Sequence, residues 1–440
     1  MLTASTNSEN SSSNVVEKDS AQREILKVCS TQELESNPFF KLVNESGLKK
    51  MVENKVERYV CDDEENLYKS LNSGVHGMLD GGEHFLSSLQ DALGDEQSLN
   101  LLVGNIYISQ ADENSSAALV DSGFSLLRTL IKVELIQPRV INVILESMTV
   151  HATESEGDEG TGVENEKNVT KALLSQLKWI ENLCDGRSLT NKLVECLQVC
   201  PLEAQRDIIS MIPEIIDDAE QESVVETLVE TMEGEIRLTV TVLDSISNLF
   251  LSDEKKQEAT ERVLNMLSSS SLSDLPVILR FLIDGCTADN SASVIRVVRQ
   301  HLSELINAGN NNFSDQDADR SSSEALILES LRASLRYRRD VIQAWMKIVE
   351  QTENSSDNSI CTFDLWVLGS LYSMKKESSA ADKLIKKKAS AGAFNEPFVL
   401  DVFCGHATAL APLFSNFLEI AAQLFYGRGA SKAAENKRAA

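Results

Sequence analysis

From about residue 168 onward, apolar side chains recur with the 3.6-residue period of a helix. Ile208, Ile209, Ile212, Ile215 and Ile216 fall at i, i+1, i+4, i+7 and i+8, and Val224, Val225, Leu228, Val229 and Met232 repeat that face. The stretch 236–242 (IRLTVTV) alternates as a strand would. Leu243, Ile246, Leu249 and Phe250 continue it at helical spacing, which outweighs the alternation. Asp274 and Pro276 read as the cap and first turn of a further helix, whereas Pro213 should kink the run it interrupts. Pair starts near 168, 203, 236 and 274 lie roughly 33–38 residues apart, close to the period of helical-hairpin repeats. Such pairs cannot bury their apolar faces alone. The expected fold is therefore all-α, an α-solenoid of HEAT/armadillo-like helix pairs. Residues 38–150 and 322–425 read as longer helices of the same kind.

Polar stretches set the boundaries. Residues 1–35 are rich in Ser, Asn and Glu and read as a disordered leader, with the solenoid spanning 36–425 and a disordered tail at 426–440. Within the body, an acidic loop at 153–167 and polar loops at 308–323 and 352–359 read as surface excursions rather than hinges.

Composition narrows the class. In 440 residues there are only 20 Gly and 7 Pro, too few turn formers for a sandwich or barrel. Hydrophobic residues at 42% exclude a wholly disordered chain. The net charge is −27, so the surface as a whole repels phosphate; only 371–440, with 10 Lys+Arg against 6 Asp+Glu, is positive. Without a basic n-region or apolar h-region at the N-terminus, the eight scattered cysteines (Cys29, Cys61, Cys184, Cys196, Cys200, Cys286, Cys361, Cys404) are expected to be reduced thiols. No apolar run reaches spanning length, because Pro412, Asn416 and Glu419 break the longest, and no membrane association is expected.

Catalytic and cofactor motifs are not found. Neither GxxxxGK[ST] nor GxGxxG occurs. Cys196 and Cys200 share a helix face but lack a second ligand pair, so they read as small core residues rather than a zinc site. Cys404 and His406 are two apart and point to different sides of a helix, and His76 with His84 lacks a third ligand. The expectation is no catalytic residue, no metal and no cofactor. Thr31 and Ser109, in Ser/Thr-Gln dipeptides near polar segments, are candidate phosphorylation sites, although such dipeptides occur at about the chance number. Lys383, Lys386, Lys387 and Lys388 form a basic run that reads first as a solvated helix face, then as an import patch, then as a nucleic-acid contact.

Five segments in order carry a resemblance: QLKWIENLCDGRSLT (176–190), QRDIISMIPEIIDD (205–218), LTVTVLD (238–244), DLPVILRFL (274–282) and LRYRRDVIQAW (335–345). Together they resemble the N-terminal part of the Fanconi anaemia group D2 family over about 38–425. The resemblance implies a non-catalytic nuclear scaffold in interstrand-crosslink repair and meiotic homologous recombination. It implies pairing with the Fanconi anaemia group I paralogue, and contact with double-stranded DNA only as part of that complex. The family's ubiquitin-acceptor lysine lies in a Lys/Tyr-rich segment with no counterpart here, so no ubiquitin acceptor is assigned, and a shortened form is expected. The rival reading is an armadillo/HEAT-type protein-binding adaptor unrelated to DNA. Far-UV circular dichroism should be helix-dominated; strand content above roughly a fifth, the average for globular domains, would exclude this fold.

Overall fold

The computed structural model describes residues 24–28 and 37–390, apart from 54–55, 79–81, 111–117, 155–162, 272, 288, 310–316, 352–361, 373 and 375–376, together with 411, 414 and 418. The chain divides into two compact units, Met1–Lys192 and Leu193–Ala440.

The N-terminal unit departs from the all-helical expectation. It holds a five-stranded sheet of β1 (Glu24–Lys27), β2 (Lys49–Glu53), β3 (Val56–Cys61), β4 (Asn105–Gln110) and β5 (Ala118–Ser125), in that spatial order. All neighbours are antiparallel except β3 and β4, which run parallel with Val60 opposite Tyr107. Strand β1 lies inside the stretch expected to be a disordered leader, and the other four lie where only helices were expected. By register Met51 and Val60 are buried on one face of the sheet, and Cys61 and Ile106 on the other.

Helices α1 (Pro38–Glu45), α2 (Glu64–His76), α3 (Glu83–Gly94), α4 (Glu96–Val103), α5 (Leu126–Ile131), α6 (Gln137–Glu154) and α7 (Val163–Leu177) complete this unit, and α8 (Gly186–Val199) spans its boundary. Their starts are chemically specified. Asn37 accepts from the amides of Phe39 and Phe40 ahead of Pro38, Asp63 from Asn66, Asp95 from Ser98, and Ser125 from Arg128. Gly47, at φ +90°, turns the chain from α1 into β2 in a conformation that a Cβ would strain. Helix α7 begins inside the expected acidic loop, which shortens that loop to at most 155–162.

The C-terminal unit is helical, as expected: α9 (Leu202–Ile215), α10 (Gln221–Gly234), α11 (Thr239–Ser247), α12 (Asp253–Met266), α13 (Leu275–Asp284) and α14 (Ser291–Gly309). Next come α15 (Asp317–Leu335), α16 (Arg339–Gln351), α17 (Thr362–Tyr372) and α18 (Ser378–Ser390). Residues 236–242 are helical, as a short 3-10 turn running into α11. Helix α9 runs through Pro213 and ends two residues later. Asp274 stands at the N-cap of α13 without making the cap bond, its carboxylate taken up by Ser271 and Ser273. Helices enter the polar loop expected at 308–323 from both ends, since α14 reaches Gly309 and α15 starts at Asp317; 310–316 lie outside the described residues. The 352–359 loop lies outside the described residues.

Packing in this unit skips alternate helices. Helices α9, α11, α13, α15 and α17 form one contacting row, and α10, α12, α14, α16 and α18 the other. The last helices enclose an ionic core. Asp364 is fully buried; Arg299 binds it through two nitrogens at 2.7 and 2.5 Å, and the Trp345 indole donates to it at 3.1 Å. Phe363 lies between Trp345 and Trp366, with ring centroids 5.1 and 6.2 Å away.

Removing one partner of a buried pair leaves an uncompensated charge. Asp364→Leu should therefore cost about 3–5 kcal/mol, whereas Asp364→Leu combined with Arg299→Met should recover most of the loss. Urea unfolding of both variants checks this; equal destabilisation would show that shape, not charge, governs the site.

Candidate docking surface

One cleft in the N-terminal unit gathers polar groups from three segments. Its volume is about 500 Å³. Asp63, Glu64, Glu65 and Tyr68 come from the start of α2, Ile131, Lys132, Glu134 and Gln137 from the turn between α5 and α6, and Ile180, Glu181 and Asn182 from the loop after α7. Lys132 bridges to Glu64 at 3.0 Å, and Glu65 pairs with Lys69, which holds its carboxyl below the usual range.

Gln137 fastens the walls together. It is buried, its amide donates to the carbonyls of Ile131 and Asn182, and its oxygen accepts from the Cys184 amide at 2.7 Å. The 179–185 loop is thereby fixed against the α5–α6 turn. Trp179, next in the chain to the lining residue Ile180, is 60% exposed, with the Arg128 guanidinium 4.8 Å from its ring centroid. Arg128 is itself held by the Gln176 side chain at 3.1 Å and by the Gly123 carbonyl at 2.8 Å. Burial lowers its pKa from an ordinary value so high that the group stays charged. Leu135, 50% exposed, adds a second apolar side chain between Glu134 and Gln137.

The residues singled out in the sequence lie elsewhere. Ser109 is a half-buried ladder residue of β4 opposite Leu119, not part of a free segment, and Thr31 lies outside the described residues. The basic run occupies α18 but does not present four open ammonium groups. Lys386 pairs with Asp382 at 2.9 Å and Lys387 with Glu350 at 2.6 Å; Lys383 is exposed. Lys388 turns inward, 6% exposed, and burial followed by the nearby Lys387 charge lowers its pKa. Cys196 and Cys200 are buried and form no disulfide, as expected of core residues. His76, its ring bonded to the Asn72 carbonyl, and His84 are exposed, while Cys404 and His406 lie outside the described residues. Among the described residues no group of three His, Cys, Asp or Glu side chains is placed to hold a metal, and no helix is long and apolar enough to cross a membrane. Trp179 entered the sequence argument only through the resemblance, and the role of Gln137 was missed. A glutamine at the first position of a helix after an apolar run is the signal that was available.

The described residues are mostly helical, with a small sheet, and include a polar cleft on the N-terminal unit. The family model described as Fanconi anaemia protein FancD2 nuclease matches residues 2–433, and the chain belongs to that family. It is 26% identical over 368 residues to the mouse Fanconi anemia group D2 protein homolog, covering 79% of this chain and 24% of that protein. It is 28% identical over 356 residues to the chicken Fanconi anemia group D2 protein, covering 77% and 24%. The chain thus spans about a quarter of the length of the curated relatives it matches.

Two outcomes follow from the geometry. Gln137→Leu leaves the buried Ile131 carbonyl, the Asn182 carbonyl and the Cys184 amide without their side-chain partner and should cost about 1–3 kcal/mol, with faster hydrogen exchange over 179–185. Burial pushes the Cys61 and Cys286 thiols up to about 11, so alkylation at pH 8 followed by peptide mapping should label exposed Cys184 well before either.

Proposed function

We propose that this chain is a non-catalytic scaffold of the Fanconi anaemia DNA-repair pathway. In this reading it acts in the nucleus, in interstrand-crosslink repair and meiotic homologous recombination, by pairing with the group I paralogue. Family membership carries the proposal. The two rows of alternating helices support its finer form, an α-solenoid that offers an extended binding surface. Charge supports a shared role in DNA binding: at −27 the chain repels phosphate, and the run on α18 is partly spent on ion pairs and burial. Duplex DNA is held only by the complex, the partner supplying the cations.

Two measurements test this. The chain should coprecipitate with the group I paralogue, burying at least about 1,000 Å² in a stable interface. Failure where a full-length relative succeeds in the same assay would refute the pairing. Alone, the chain should bind duplex DNA weakly, with a shallow salt slope, because each neutralised phosphate contributes about −0.9 to it. Tight binding by the isolated chain at physiological salt would refute the division of labour.

A further inference from the structure

Trp179 and Leu135 are large exposed apolar side chains that directly adjoin cleft-lining residues in the chain, Ile180 and Glu134, and Arg128 already restrains the first of them. We propose that this cleft holds an extended basic segment of a partner protein, in which Lys or Arg residues flank an apolar side chain. The apolar residue packs on Trp179 and Leu135 while its basic neighbours enter the cleft. The proposal stands independently of pairing with the paralogue.

Charge complementarity identifies the occupant. Asp63, Glu64, Glu65, Glu134 and Glu181 line the cleft against Lys132 alone, and Lys132 is already bonded to Glu64. Glu134 and Glu181 stand on separate segments, the α5–α6 turn and the loop after α7, which Gln137 ties together, so a chain laid between them meets carboxylates from both. An acidic peptide or a nucleic acid would meet mostly like charge in the cleft, where Lys132 is the one lining cation. At about 500 Å³ the cleft admits a few side chains, not a folded domain. Trp179 suits the anchoring role because tryptophans dominate interface energetics. Arg128 covers part of its ring and restrains it, so docking forfeits little side-chain freedom.

The experiment titrates the full chain with a synthetic peptide of alternating Arg and Leu, and with its Glu-for-Arg counterpart. Trp345 and Trp366 are each only 2% exposed, so a change in tryptophan emission reports on Trp179. The basic peptide should saturate that signal and the acidic one leave it unchanged. By anisotropy of labelled peptide, Glu134→Lys/Glu181→Lys and, separately, Trp179→Ala should each weaken binding about tenfold or more. Glu230→Lys/Glu254→Lys, on exposed positions of α10 and α12, makes the same change in net charge and should weaken it less than about twofold. Glu134→Gln/Glu181→Gln serves if the lysine variant fails to fold. Equal losses from both charge-reversal pairs would reduce the effect to general attraction by an acidic chain and overturn the proposal. So would unaltered binding by Trp179→Ala, or no binding at all.

Discussion

Every helix leaves four amides and four carbonyls without an intrahelical partner, and a chain of short helices meets that demand at every turn. Two glutamines and an arginine answer it. Gln137 serves the walls of the cleft, and Gln221, at the first position of α10, accepts from the Phe250 amide at 2.6 Å just before α12. Both glutamines are buried, and both tie the start of one helix to the loop that leads into the second helix after it. Arg338 takes the harder case, the end of α13: it donates to the carbonyls of Ile283, Asp284 and Cys286 while Asp340 holds its other side. The docking surface depends on this. The loop that carries Trp179 is held where Gln137 bonds its Asn182 carbonyl and Cys184 amide.

The same reasoning explains why charge is buried at the far end of the chain. Arg299 and the Trp345 indole together saturate Asp364, so its carboxylate stays where water is excluded. Lys388 lies close enough for Asp364 and Arg299 to act on its charge in opposite directions. A run that reads in one dimension as KLIKKK is thus divided in three dimensions between solvent, ion pairs and the interior.

Legibility in the sequence followed the range of the interactions. The helices from 202 onward were readable because each face is written within a few residues, as in Ile208, Ile209 and Ile212. The IRLTVTV stretch came out helical because Leu243 and Ile246 extend that face. The sheet was not readable, because a strand of four to eight residues has too few positions to declare a period. Its partners also lie far away: Tyr59 pairs with Ile106. The segments KKMVE, VERYVC and NIYISQ carry β-branched and aromatic residues, but the helical signal on either side absorbed them. The cleft was invisible for a further reason. Its acids are ordinary first-turn and loop residues, and only the folded chain brings Glu64, Glu134 and Glu181 together.

The parallel pair at the centre of the sheet has a consequence for how the chain reaches its native state. Strand β4 cannot join β3 until α2, α3 and α4 have bridged the connection between them, and closing that loop is an entropic cost met before any ladder bond rewards it. The helices of the second unit each close over a few residues and form quickly. On the ribosome the unit that emerges first is therefore the slower of the two to finish. Until β4 arrives, β3 presents an open edge, the sort of exposed strand that chaperones hold and that unfinished chains use to find one another.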